Sequence, residues 1–300
     1  MKFLTYKDGA DLRVGALDDS HGVLDLVKAA KTLLGKDLPD SLRGIIEGGD
    51  DALNLARQTH KAALAKPDGL FTAVDKITFA TPLPGARKNV FCVGRNYKAH
   101  IEEMAASFGR AAEFPKAPEF FSKPPTTIIG PGDAIEHNAD ITRQLDWEVE
   151  LAVIIGVGGK NIARVDAMKH VYGYTIVNDV TARDVQMRHQ QWDMGKSFDT
   201  FCPMGPWIVT ADELDGQHTR VRCWVNDSLR QDGRTEDLIF DIPTLIETIS
   251  RGITLYPGDV IATGTPAGVG LGLKPPVFLK KGDVVRIEID GIGTLQNAFV

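Results

Sequence analysis

The stretch Leu145-Asp-Trp-Glu-Val-Glu-Leu-Ala-Val-Ile-Ile155 puts three carboxylates at alternate positions and then runs into unbroken apolar sequence. Side chains two apart on a strand point the same way, so Asp146, Glu148 and Glu150 are expected on one face. Trp147, Val149 and Leu151 are expected on the other. Glu150 directly precedes the apolar run, where a free carboxylate is costly to bury. Two like charges about 4 Å apart repel by about 4 kcal/mol at an effective dielectric of about 20. A cation, a bound proton or basic neighbours must offset that. The spacing fits either a solvated sheet edge or a site for a divalent metal ion.

A fourth acid ends the alternating stretch Tyr172-Gly-Tyr-Thr-Ile-Val-Asn-Asp179. Asp179 can cap the helix that begins with Val-Thr-Ala-Arg-Asp. If it instead faces the first pair, Glu148, Glu150 and Asp179 make an all-oxygen site, which suits Mg²⁺ or Mn²⁺ better than Zn²⁺. Upstream, Arg95-Asn-Tyr-Lys-Ala-His-Ile-Glu-Glu103 puts His100 and Glu103 three apart, neighbours on a helix. A carboxylate beside an imidazole fixes its tautomer and raises its basicity, which makes a general base for a water; a surface helix carries such pairs too. Lys123 follows an aromatic run and precedes two prolines, Lys196 lies in a loop, and Arg183 and Gln186 lie on the helix after Asp179. Each alone reads as a solvated group. Beside three acids, Lys196 could balance the ligands and Arg183 or Gln186 could hold a substrate carboxylate.

Thr263-Gly-Thr-Pro-Ala-Gly-Val-Gly-Leu-Gly272 is a glycine-rich loop whose backbone N–H groups could approach an anion closely. It is no phosphate-binding P-loop, since no GK[ST] follows. GxSxG is missing, and Cys202 sits between Phe and Pro without a nearby His, which argues against nucleophilic serine or cysteine chemistry.

The elements that must position these residues are mostly strands. NVFCVGRNY, AVIIGV, YGYTIVND, GPWIVT, RVRCWVND, DVIATGT and DVVRIEIDGIGTL are β-branched or aromatic runs bounded by Gly, Pro, Asn or Asp. Helices are expected near residues 98–107, 164–170, 181–191 and 242–250, and Met104–Pro118 reads as a loop suited to a lid. Strands and helices do not alternate regularly, so a doubly wound parallel sheet is disfavoured and a mixed, largely antiparallel sandwich or roll is expected. Before residue 83 the pattern differs: short strand pieces, then helical stretches at LVKAAKTLL, SLRGIIEGG and DDALNLARQTHKAALAK. In the last, Leu53, Leu55, Ala56, Ala62, Ala63 and Leu64 form a rough stripe. Thr81–Asn89 is rich in breakers, which places a boundary near residue 83.

The chain has 300 residues, long enough for one large or two smaller domains with a sizeable core. Lys plus Arg is 34 and Asp plus Glu is 40, a net charge of −6, which argues against nucleic acid and against a polybasic membrane-surface protein. Cys92, Cys202 and Cys223 are odd in number and form no CxxC pair, so a disulfide framework or a cysteine zinc site is not expected. The N-terminal sequence lacks the apolar stretch of a signal peptide, and a cytoplasmic location is the expectation.

VGRNYKAHIEEM, FFSKPPTTIIGPGD, LDWEVELAVIIG, GYTIVNDVTARDVQ, GKSFDTFCPMGPW, VNDSLRQDG and ATGTPAGVG together strongly resemble the fumarylacetoacetate hydrolase family, in order, over about residues 85–300. The resemblance implies an α+β, mostly β fold: a mixed β-roll catalytic domain over 84–300 behind a small α+β domain over 1–83. It implies Mg²⁺ or Mn²⁺ on Glu148, Glu150 and Asp179, a general-base pair in His100 and Glu103, and a catalytic Lys123. It places Arg95, Tyr97, Arg183, Gln186, Lys196 and Thr265 at the substrate, a small anionic 2-oxo acid. Members are commonly homodimers. Asp227 stands where relatives usually carry Gly. The leading expectation is metal-dependent hydrolysis of a C–C bond in an acylpyruvate, with His100 activating water. The alternatives are decarboxylation of oxaloacetate, isomerisation or decarboxylation of a 2-hydroxyhepta-2,4-diene-1,7-dioate from aromatic breakdown, and, from a different class, a non-catalytic binding protein on the same fold.

Overall fold

The computed structural model describes residues 1–300. Its spine is a 12-stranded sheet. Along the main path it runs 71–72, 22–25, 11–18, 2–8, 202–210, 171–178, 149–155, 260–262, 90–94 and 119–123. Neighbours on this path are antiparallel except the pair Val260–Ala262 and Val90–Gly94, which is parallel. A four-stranded antiparallel sheet, in the order 228–234, 220–225, 284–289 and 293–298, lies over one face of the spine.

The strand Val149–Ile155 shows how the alternation builds the interior. Every residue in it is buried. Val149, Leu151, Val153 and Ile155 join one core with Trp147, the helix Ile242–Ser250 and the inner residues of the four-stranded sheet. Ala152 and Ile154 point the other way, into a second core closed by the N-terminal helices 26–29, 42–47 and 49–64. Glu150 belongs to this second face by parity, and Glu148 stands just before the strand. The helix Ile242–Ser250 starts on a cap: the Asp241 carboxylate accepts from the Thr244 amide, and Ile242, Leu245, Ile246 and Ile249 fill the first core.

The first 83 residues share this architecture. Lys2 pairs with Val209 and Phe3 with Ile208, so the N-terminal meander extends the spine sheet. Helix Gly49–Leu64 buries Ala52, Ala56, Thr59 and Ala63; of the expected stripe Ala56 and Ala63 are buried, Leu53 and Leu55 half-buried and Leu64 exposed. Small side chains on that face let the helix approach closely.

Three expectations are corrected. The carboxylate stretch is two pieces, Leu145–Asp146 and Val149–Ile155, with Trp147 and Glu148 between them. The segment read as a loop from Met104 begins as helix, because Lys98–Ser107 is continuous; only 108–118 is irregular up to the strand Glu119–Lys123. The helix expected over 181–191 is Arg183–Arg188, preceded by a two-residue strand. Asp227 lies in the exposed hairpin turn between Arg220–Val225 and Ser228–Arg234, where Asn226 takes the positive φ (52°). No helix is long and apolar enough to cross a membrane.

Candidate active site

Two adjacent strands bring the acids together. Val149 pairs with Asn178 and Glu150 with Val177, so Glu148 and Asp179 flank the same end of the ladder. The Glu148 amide donates to Asn178 Oδ1 (3.1 Å) and the Asp179 amide to the Glu148 carbonyl (2.9 Å), which locks both at the strand ends. Carboxylate oxygens of Glu148, Glu150 and Asp179 lie within 4.8 Å of one another, all three residues buried.

Buried cations answer part of this charge. Lys196 Nζ donates to Glu148 Oε2 (2.8 Å) and Asp179 Oδ2 (2.7 Å). Lys123 Nζ, fully buried, donates to Asp179 Oδ1 (2.7 Å) and the Val180 carbonyl (3.0 Å). Arg183 donates from Nη2 to Glu148 Oε1 (2.6 Å), from Nε to Asp146 Oδ2 (2.8 Å) and from Nη1 to Gln186 Oε1 (3.2 Å). Asp146, Glu148, Glu150 and Asp179 are four anions against three cations, so one negative charge is uncompensated. It falls on Glu150, whose side chain accepts only from the Gly264 amide (2.9 Å). Burial, then Asp179 and Glu148, push the Glu150 carboxyl well above the ordinary range. Burial also pushes Glu148 up, but Lys196 and Arg183 outweigh it and hold that carboxyl far below. Burial lowers Lys196, yet Asp179 and Glu148 more than restore its charged form. One surplus charge among oxygen donors fits a hard divalent cation, which Glu148, Glu150 and Asp179 could hold.

A cavity of about 540 Å³ opens over this floor. Of the residues expected at the site, Arg95, His100, Glu148, Glu150, Arg183, Gln186, Lys196 and Thr265 line it. Lys123 lies behind Asp179 and does not. Tyr97 is buried beside Glu150 and Asp237, and its hydroxyl is pushed up by burial and then by those acids. Arg95 lines the wall with its guanidinium tied to Glu119 (3.0 Å) and to the Glu113 carbonyl.

The His–Glu pair stands on the first turns of helix Lys98–Ser107, but it is not hydrogen-bonded: His100 Nδ1 is 3.6 Å from Glu103 Oε2 and, though buried, has no partner. Both Glu103 oxygens instead accept from the Gly268 amide (2.9 and 3.0 Å). This corrects the reading of the glycine-rich loop. Its amides do approach anions, but the anions are the protein's own: Gly264 serves Glu150, Gly268 serves Glu103, and Gly270 and Leu271 serve Asp146. A Cβ on Gly272 would fall 2.3 Å from the Glu103 carboxyl carbon, so glycine there lets the helix dock.

Three contributors escaped the sequence reading and a fourth, Asp146, was given the wrong direction. Asp146 was grouped with the metal-facing acids but turns to Arg183 and the loop. Gln231 donates to Thr265 Oγ1 (2.7 Å) and accepts from the Val149 amide (3.0 Å). Trp192 lines the cavity and lies on Gly94, where an added Cβ would meet its ring at 2.2 Å. Arg110, exposed at the rim over the Phe108 ring (5.3 Å), is the one cavity arginine with no carboxylate partner.

Residues 89–300 match the family model described as fumarylacetoacetate (FAA) hydrolase C-terminal. The chain is 45% identical over 302 residues to an oxaloacetate tautomerase of Bacillus subtilis, covering 99% of each chain. It is 43% identical over 266 residues to a human mitochondrial oxaloacetate tautomerase, covering 88% of this chain and 81% of that one. A solved fumarylacetoacetate hydrolase of Exiguobacterium antarcticum superposes with a TM-score of 0.82 at 42% identity, covering 100% and 99%. A maleylpyruvate hydrolase of Sphingobium sp. SYK-6, solved with manganese(II) and pyruvate, superposes with a TM-score of 0.75 at 33% identity over the same shares.

Proposed function

The chain belongs to the fumarylacetoacetate hydrolase family, and on that premise we propose that it interconverts the enol and keto forms of a small 2-oxo dicarboxylate, oxaloacetate, with Mg²⁺ or Mn²⁺ bound. The observation that carries this reading is the similarity to oxaloacetate tautomerases along nearly the whole chain. His100 faces the cavity with no bonded partner on Nδ1, and an imidazole so placed suits proton transfer to and from carbon, the step a tautomerase requires.

A dication on Glu148, Glu150 and Asp179 would supply Lewis acidity toward the 2-oxo acid end of the substrate. The protein's own groups do the rest. Lys196, hydrogen-bonded to both Glu148 and Asp179, fixes the two carboxylates side by side. Arg183 makes three of the five N–H donations a guanidinium offers, which leaves two for a substrate oxygen. Thr265 accepts from Gln231 and so keeps its own hydroxyl proton available to the cavity. Arg110 meets the distal carboxylate at the rim. His100 gives a proton to C3 as the enol becomes the ketone, and the enol O–H proton leaves to solvent; the reverse direction restores both.

A second reading, hydrolysis of an acylpyruvate, is favoured by the cavity volume, which leaves room beyond a four-carbon acid, and by the likeness to maleylpyruvate hydrolase. Decay of enol absorbance on adding the Mg²⁺-loaded protein tests the first reading. His100→Ala is expected to slow it by about 10²–10⁴. An unchanged rate overturns the role of His100. Faster cleavage of maleylpyruvate than oxaloacetate enol decay gives the protein to the second reading, and release of CO₂ from oxaloacetate to a decarboxylase.

Three free, buried thiols support a cytoplasmic placement. We further propose a homodimer, checked by light scattering, and a supporting role for residues 1–83, checked by expressing 84–300 alone.

A further inference from the structure

We infer that Asp146 is a positioning residue of the metal centre, acting through Arg183 on Glu148. Asp146 is fully buried and does not line the cavity. Its carboxylate is saturated by four donors: the Trp147 amide (2.9 Å) and the Gly270 amide (2.6 Å) on Oδ1, the Leu271 amide (3.0 Å) and Arg183 Nε (2.8 Å) on Oδ2. The site is built for this anion. A Cβ on residue 270 would stand 2.8 Å from Asp146 Oδ1 and 2.0 Å from the Val277 carbonyl, so only glycine brings that amide so near.

Asp146 reaches the chemistry through the guanidinium. Arg183 is a rigid planar fork: with Nε fixed on Asp146, Nη2 can point only where the plane allows, which is Glu148 Oε1 at 2.6 Å. Glu148 is thereby aimed from one side by Arg183 and from the other by Lys196. Because all four contacts to Asp146 are donors, an asparagine in its place turns an NH₂ group toward two N–H groups whichever way it flips. Arg183 then loses its reference, and Glu148 loses one of the two contacts that hold its oxygens beside Glu150 and Asp179.

The inference rests on the metal reading above, and the test separates the two. Mn²⁺ binding to the full-length protein is titrated by EPR of the free ion, well below the melting temperature. The wild type, Asp146→Asn, Arg183→Lys and the double variant are compared. Arg183→Lys keeps the charge but cannot span Asp146 and Glu148, so unchanged affinity in it overturns the inference even if Asp146→Asn does not fold. Each single change is expected to weaken Mn²⁺ binding by about 10–100-fold, as loss of a group supporting a ligand does. The double variant is expected to bind no more weakly than the worse single, because both remove one linkage. Wild-type affinity in either single variant, or additive losses in the double, overturns the inference; a lowered melting temperature with unchanged affinity shows a purely structural role and overturns it too. A wild type that binds no Mn²⁺ overturns the metal reading and this inference with it.

Discussion

The floor and the rim of the cavity are built on opposite rules. In the floor, every charged group is buried and, Glu150 apart, answered by an opposite charge: Lys123, Lys196 and Arg183 against Asp146, Glu148 and Asp179. At the rim, Phe108, Arg110, Met187 and His189 line the opening exposed, on segments at a helix end or outside regular structure. Breaking a buried pair leaves a bare charge, whereas a rim substitution leaves its partners in water. The floor therefore admits little change, while the rim tolerates substitution; under the proposed function the rim is where the choice between acids is made.

Substitutions that break the floor should have the largest effects. Lys123→Met strands one Asp179 oxygen at a fully buried position and should cost about 3–5 kcal/mol, read as a shift in denaturant midpoint. A loss below about 1 kcal/mol would mean that Asp179 is already satisfied by Lys196. Saturating Mn²⁺ should stabilise the protein by about 2.7 kcal/mol at 100 times its Kd, and Glu150→Gln should erase that gain in a melting experiment. At the rim, Arg110→Ala should raise KM for oxaloacetate about tenfold with kcat and melting temperature little changed, the loss of one charged hydrogen bond. A larger fall in kcat would place Arg110 in the reaction rather than at the entrance. Smallest of all, Asp227→Gly in the exposed hairpin turn should change stability by less than about 0.5 kcal/mol and leave kinetics untouched.

What the sequence made legible follows the same division. Spacing brought Glu148 and Glu150 to one face and Asp179 to a strand end but left a solvated edge and a helix cap open; the resemblance to the family made the three a ligand set. Helices 98–107 and 242–250 were legible as the interruptions between strand-like runs, and both form. The direction of Asp146 was not, because a two-residue break at Trp147–Glu148 interrupts the alternation that seemed to bind the three acids into one face. The occupants of the glycine-rich loop were also hidden. Amides that could take a substrate anion take Glu103, Asp146 and Glu150 instead, contacts spanning 114 to 165 residues of sequence. Arg110 stayed out of view because a lone arginine in a patternless stretch carries no signal; only the pairing of every other cavity arginine sets it apart.

The pairing of Lys2 with Val209 and Phe3 with Ile208 has a consequence for how the chain is made. The first strand to leave the ribosome finds its inner neighbour only after some 207 residues more have been synthesised. Closing so long a loop costs about 3 kcal/mol more in chain entropy than closing a ten-residue one. Until then the N-terminal meander has an open edge that strands of other chains can occupy. Nascent chains at high expression are thus exposed to mispairing at Lys2–Phe3, the end of the strand that Thr78–Phe79 leaves uncovered, and slowing synthesis before residue 209 lengthens that exposure.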